Sequence, residues 1–319
     1  MRMRRTAVLV AALAALAGCT SGGQAKDLSP MVTANRPQPA NAEANPKIEG
    51  AGGGGDDCGD PTASLRPRGT ATPEGSTMAE IRERGKLIVG VDQNTFLFGF
   101  RNPTTGRLEG FDIDIATAVA EQLLGSADKI QFRAITSQQR IEALKSGSVD
   151  IVVRTMTINC ERRKEIEFSS VYFVAGQRVL VQKTSDYDSL ADLGKKKVCA
   201  ASGSTSLRNI AEAESQPVPV SVDNWSDCLV MMQQGQVEAI STDDTILAGM
   251  AQQDPTLEVV GERFTTEPYG IGIPKENDDM VRYVNAVLEK VRDGSWQSSY
   301  DRWLEPVLGA GSPPKPKYN

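Results

Sequence analysis

Apolar and polar positions alternate along the chain in two rhythms. Leu87–Val91 is a compact β-branched run of the kind that forms a buried strand. Within residues 112–124, Ile115, Ala118, Val119 and Leu123 recur at helical spacing and predict an amphipathic helix. Residues 139–146 read as a short helix with Leu144 inward, and Gly147 stands where a helix end takes a left-handed residue. Residues 149–153 then read as a buried strand. Met280, Val284, Val287, Leu288 and Val291 mark a late amphipathic helix closed by Gly294. Strands alternating with helices over residues 78–306 predict an α/β protein with parallel sheets flanked by helices.

One helix–turn–strand segment occurs twice. Glu142-Ala-Leu-Lys-Ser-Gly-Ser-Val-Asp-Ile-Val-Val is echoed 88 residues later by Val230-Met-Met-Gln-Gln-Gly-Gln-Val-Glu-Ala-Ile-Ser. Gly147 pairs with Gly235, Val149 with Val237 and Asp150 with Glu238. The echo points to two similar α/β lobes, although a helix–turn–strand unit is also a common local motif. Ligands of open α/β sheets sit beyond the carboxyl ends of the strands. The residues just past the two echoed strands are Arg154-Thr155-Met156-Thr157 and Thr242-Asp243-Asp244.

Composition narrows the chemistry. The 319 residues hold no histidine, which removes Ser-His-Asp and Cys-His catalysis and imidazole metal sites. A formal net charge of −6 argues against a nucleic-acid surface. Arg2, Arg4 and Arg5, the apolar run 7–17 and Gly18-Cys19 form an export signal, too short for a membrane-spanning helix. Leu16-Ala17-Gly18-Cys19 resembles a bacterial lipobox, which implies cleavage before Cys19 and a lipid on its sulfur. Residues 20–77 contain ten Gly, seven Pro and no aromatic residue, the composition of a flexible linker. The four other cysteines, Cys58, Cys160, Cys199 and Cys228, are an even number for an oxidising compartment and lack zinc-site spacing. On their own they allow three pairings.

Thr155, Thr157 and Arg162 offer two hydroxyls and a guanidinium, a set suited to a carboxylate. Asp243, past the second strand, suits an ammonium. Facing one another, they would hold an α-amino acid. Each also has a plainer reading: Arg162 as a surface residue of a charged stretch, Asp243 as a helix N-cap.

The stretch from Asp150 through Arg154-Thr-Met-Thr-Ile-Asn-Cys-Glu-Arg-Arg to Phe168-Ser, with Gly110-Phe-Asp-Ile-Asp, Tyr269-Gly-Ile-Gly-Ile-Pro and residues 296–303, resembles the polar amino-acid-binding proteins of bacterial ABC importers, family 3. Within that family it is most similar to glutamate/glutamine-binding lipoproteins. The resemblance implies a type II periplasmic-binding-protein-like fold: two α/β lobes, two hinge strands and a ligand in the cleft. It places lobe 1 at 78–176, lobe 2 at 177–264, hinge and lobe 1 again at 265–306, and a tail at 307–319. Residues 1–18 are then the signal and 19–77 a lipid-anchored linker. By position, Thr155, Thr157 and Arg162 match the carboxylate clasp and Asp243 the ammonium acceptor. Ser137 and Arg140 match readers of a distal carboxylate, Asp92 a reader of a side-chain amide, and Thr205 a capping loop. Arg101 and Arg154 would add positive charge, and Phe98 an apolar wall. The lobe boundaries favour the disulfides Cys58–Cys160 and Cys199–Cys228.

The function expected is a monomeric, cofactor-free, metal-free receptor on the outer face of the cell membrane. It would capture glutamate or aspartate, or their amides, for an ABC permease. A membrane sensor is the alternative partner. A dehydratase on the same fold is the enzymatic alternative, with Glu267 or Asp244 as its acid.

Overall fold

In the computed structural model, residues 36–48 and 58–319 are described. The expected export signal, Cys19 and the Gly52–Gly55 run lie outside those residues.

The first sheet has five strands in the order Ile130–Ala134, Leu87–Val91, Ile151–Val152, Gly272–Pro274 and Ile166–Phe168. Leu87–Val91 runs parallel to both neighbours, whereas Gly272–Pro274 is antiparallel to both of its own. The central strands are apolar on both sides because both faces are covered. Ile151 and Val153 join one cluster with the helices Phe111–Leu124 and Asp278–Arg292; Val149 and Val152 join another with Leu144.

The second sheet repeats this plan in the order Val218–Val222, Lys197–Ala201, Ala239–Asp243, Gln177–Gln182 and Leu257–Val260. Three parallel strands are again followed by one that runs antiparallel to both neighbours. Cys199–Cys228 ties the strand Lys197–Ala201 to the helix Trp225–Gln233, both cysteines being fully buried.

The repeated segment does the same work in each lobe. Gly147 and Gly235 take left-handed φ of 65° and 64° after their helices. The Asp150 carboxylate accepts the Ile88 N–H at 2.7 Å, and the Glu238 carboxylate accepts the Lys197 N–H at 2.8 Å. Each acidic side chain thus fastens the start of the neighbouring parallel strand.

Two short antiparallel strands, Phe173–Ala175 and Glu267–Tyr269, carry the chain between the sheets.

The stretch expected to be a free linker is packed over its described parts. Glu43–Ala44 adds an edge strand to the second sheet beside Val218–Val222, and Ala42 and Ile48 pack on that lobe's core. Cys58–Cys160, two bonds from Arg163 to the carbonyls of Pro61 and Ala63, and Ser64 on the Phe168 carbonyl hold the next segment to lobe 1. The tail is also held: Arg292 donates to the Pro314 carbonyl and Ser64 to that of Lys317. No helix among the described residues is long and apolar enough to cross a membrane.

Candidate functional site

The strand Ile151–Val152 ends at Arg154-Thr155-Met156-Thr157, and Ala239–Asp243 ends at Asp243. Both ends open into the cleft between the lobes. There, Ser137, Arg140, Thr155, Thr157 and Arg162 of lobe 1 and Ser204, Thr205, Ser206, Trp225, Thr242, Asp243 and Ile246 of lobe 2 line a narrow void of about 10 Å³. It shares Ser137, Arg140, Arg162, Ser204 and Thr205 with a wider mouth of about 580 Å³. One wall of that mouth is Pro46-Lys47-Ile48, from the segment that joins the second sheet.

Arg162 sits in the first turn of a short helix, Cys160–Glu165, whose start is fixed by the Asn159 side chain accepting the Arg162 N–H. Its guanidinium donates to the Thr157 carbonyl at 2.6 Å and, across the cleft, to the Gly203 carbonyl at 3.2 Å. Arg140 reaches the same Gly203 carbonyl at 3.1 Å and also donates to the carbonyls of Ser137, Arg154 and Thr155. Opposite them, Asp243 accepts the Tyr269 hydroxyl on Oδ2, while its buried Oδ1 has no partner. Glu267, buried on the strand Glu267–Tyr269, accepts Thr157 Oγ1 at 2.6 Å and Thr205 Oγ1 at 2.9 Å, one hydroxyl from each lobe. Two guanidinium groups from one lobe thus face two carboxyl groups gathered at the other lobe and that strand, donors and acceptors disposed to complement an amino acid.

Residues 87–306 match the model of the bacterial extracellular solute-binding proteins, family 3. The chain belongs to this family. It is 42% identical over 231 residues to the ABC transporter glutamine-binding protein GlnH of Bacillus subtilis (strain 168), a match that covers 72% of this chain and 85% of that one. It is 32% identical over 243 residues to the glutamate-binding protein GluB of Corynebacterium efficiens, covering 72% and 81%. A solved ancestral arginine-binding protein bound to glutamine superposes with a TM-score of 0.64 at 36% identity, covering 71% of this chain and 99% of that one. The two-lobed α/β architecture is the one these proteins share.

Seven of the residues singled out in the sequence of this solute-binding protein meet at the void: Ser137, Arg140, Thr155, Thr157, Arg162, Thr205 and Asp243. Four stand elsewhere. Asp92 and Arg154 pair with each other at 2.7 Å inside lobe 1. Asp92 also accepts the N–H groups of Gln93 and Asn94 and the Thr95 hydroxyl, and Arg154 donates to Ser137 Oγ and the Ile135 carbonyl. Each neutralises the other's charge behind the site. Phe98 is buried among Phe111, Phe173 and Tyr269. Arg101 is exposed and donates to the Gly106 carbonyl.

Burial sets the ionisation of the site. It pushes the Asp243 carboxyl up to about 8, with the nearby Glu267 charge adding to the effect. It lowers Arg162 only to about 10, so that guanidinium stays charged at neutral pH. Arg140 is lowered by burial first and then by its neighbours Arg162 and Arg154. Three contributors escaped the sequence reading. Glu267 entered it only as a possible acid, and Trp225 and Asp112 not as site residues. Asp112 accepts the Thr155 N–H at 2.9 Å and the Tyr172 hydroxyl at 2.8 Å, so it fixes Thr155 from behind. The motif Gly110-Phe-Asp-Ile-Asp held the signal for it. Among the described residues no cluster of three or more His, Cys, Asp or Glu could hold a metal.

Proposed function

We propose that this protein is a receptor for a polar α-amino acid, glutamine or glutamate first, with aspartate and asparagine as further ligands. The observation that carries the reading is the convergence of two strand ends, one from each lobe, on a single void. The clasp of Thr155, Thr157 and Arg162 takes the α-carboxylate, and Asp243, with Glu267 beside it, takes the α-ammonium. Thr205 closes from lobe 2, and Ser137 and Arg140 face the side chain. The kinship with glutamine- and glutamate-binding proteins supports this ligand class. The chain is anchored by lipid at Cys19 on the outer face of the cell membrane, acts without a cofactor and as a monomer, and delivers its ligand to an ABC permease. The charged groups on the void are assigned to recognition, and the protein acts by binding, as its glutamine- and glutamate-binding relatives are named for doing.

Isothermal titration with glutamine, glutamate, aspartate and asparagine tests the reading. Micromolar or tighter binding of at least one is expected. Arg162→Ala should weaken it about 10- to 100-fold, the effect of losing charged hydrogen bonds. No heat with any of the four, or full affinity in Arg162→Ala, would defeat it. Arg140→Ala separates acids from amides: a selective loss for glutamate places that guanidinium on the distal carboxylate. Cross-linking in membranes identifies the partner, and mass spectrometry of the extracted protein reads the lipid.

A further inference from the structure

Two buried polar atoms on the void have no partner within the protein: Asp243 Oδ1 and Trp225 Nε1. They ask for opposite things. A carboxylate oxygen accepts, whereas an indole N–H only donates. The ammonium of an amino acid answers Asp243. Trp225 asks for an oxygen.

The position of Trp225 is fixed on both sides. It is the first residue of the helix Trp225–Gln233, and its ring is buried in the lobe 2 core at 3% exposure. The helix starts in a capping box between Asn224 and Asp227. Asn224 also accepts from Asn94 Nδ2 of lobe 1 at 3.2 Å, so lobe contact meets the same turn. The other two tryptophans satisfy their indoles internally: Trp296 donates to the Tyr172 carbonyl at 2.7 Å and Trp303 to Asp114 at 2.8 Å. Buried indoles ordinarily find such partners. Trp225 differs from both in lining the void with its indole nitrogen unpartnered.

We infer that Trp225 reads the ligand's side chain, its Nε1–H donating to a side-chain carbonyl or carboxylate oxygen. The inference rests on the proposed amino-acid site. The α-carboxylate has its donors on lobe 1, in Arg162, Thr155 and Thr157, whereas Trp225 approaches from lobe 2 beside Ile246 and Asp243. A ligand without the oxygen leaves a buried donor unpaired, the arrangement that discriminates most strongly against an analogue. A cationic side chain would bring donors to a donor. Trp225 therefore selects acidic and amide amino acids over aliphatic and basic ones.

The test uses the full chain in detergent, labelled with ¹⁵N at tryptophan, beside calorimetry. Glutamine, or glutamate where that binds better, should shift the Trp225 indole N–H resonance downfield and leave those of Trp296 and Trp303 in place. Alanine at millimolar concentration, which carries the same α-groups, should not. Trp225→Phe should bind glutamine about 3- to 10-fold more weakly. Where that variant does not fold, Trp296→Phe and Trp303→Phe assign the resonance by exclusion, and the spectra of the unaltered chain decide. Binding heat with no Trp225 shift, an equal shift with alanine, or unchanged affinity in a folded Trp225→Phe would overturn the inference. Absence of binding by every acidic and amide ligand would instead defeat the underlying site.

Discussion

Thr155 carries a β-branched side chain at a φ of 39°, a backbone region that such residues rarely occupy. Asp112, reaching back from the helix Phe111–Leu124, holds its N–H, so the strained residue is kept at the strand end that borders the void. Under the proposed function, Asp243 across the cleft is the group whose ionisation governs capture. Its carboxyl is protonated below about 8, while an ammonium ligand needs the carboxylate. Affinity should therefore fall as pH drops from 8 to 6, approaching tenfold per unit for one linked proton, with a proton released on binding at pH 7. Calorimetry in two buffers of different ionisation enthalpy measures both, and Asp243→Asn should bind weakly with no such slope. A flat profile in the unaltered protein would remove Asp243 from the ammonium. Without ligand the same physics acts on stability. Asp112, at about 7, and Asp243 both lie above their ordinary 3.8, so the folded chain holds more protons than the unfolded one. Stability should then decline as pH rises from about 4 to 8. That Thr155, Thr157 and Arg162 come together was legible in sequence because they sit within a few positions of a strand end. Trp225 and Glu267 were not, since only the fold brings them there, and the Asp92–Arg154 pair joins residues on different strands.

At the scale of elements, the repeat read from residues 142–153 and 230–241 is real structure: in each lobe it caps a helix, turns on a left-handed glycine and fastens a parallel strand through an acidic side chain. Periodicity marked these elements because each buries one apolar face. It overextended residues 149–153, where ladder pairing confines the strand to Ile151–Val152. It missed Glu43–Ala44 altogether, since a two-residue edge strand in Pro-rich surroundings carries no period and depends on the partner strand. The disulfides divide along the same lines. Cys199–Cys228 spans 29 residues inside the lobe 2 core, so replacing both cysteines by alanine should cost about 3–4 kcal/mol and lower the melting temperature by about 6–15 °C. Cys58–Cys160 fastens a peripheral segment that Arg163 and Ser64 also hold. Its removal should move the main calorimetric transition much less. Equal shifts for the two pairs would show that the N-terminal segment is part of the cooperative core.

The two lobes meet across the cleft in this structure, and two glycines set how closely they approach. A Cβ on Gly203 would lie 2.5 Å from Gln138 Oε1, and one on Gly249 would lie 2.6 Å from the Phe96 carbonyl oxygen, each contact crossing from lobe 2 to lobe 1. Around them Arg208 pairs with Glu161 at 2.6 Å, and Gly203 receives both site arginines. Gly249 separates closure from folding. It lies within the helix Asp244–Gln253, where alanine is favoured over glycine by about 1 kcal/mol. Gly249→Ala should therefore leave lobe 2 as stable as before, or slightly more so. Its methyl meets backbone across the cleft, which cannot rotate aside, so the lobes must stand apart by several tenths of an ångström at that point. Under the proposed function Arg162, Thr155 and Thr157 hold one small ligand from one lobe and Asp243 from the other, a grip sensitive to such a displacement. Binding about tenfold weaker is expected at unchanged or higher melting temperature. Gly249→Leu should extend the loss and, by small-angle scattering at saturating ligand, hold the radius of gyration above that of the unaltered protein. Full affinity in Gly249→Ala would mean that capture tolerates a looser cleft than the one the two glycines permit, and that Asp243 and the clasp act without close lobe contact at this face.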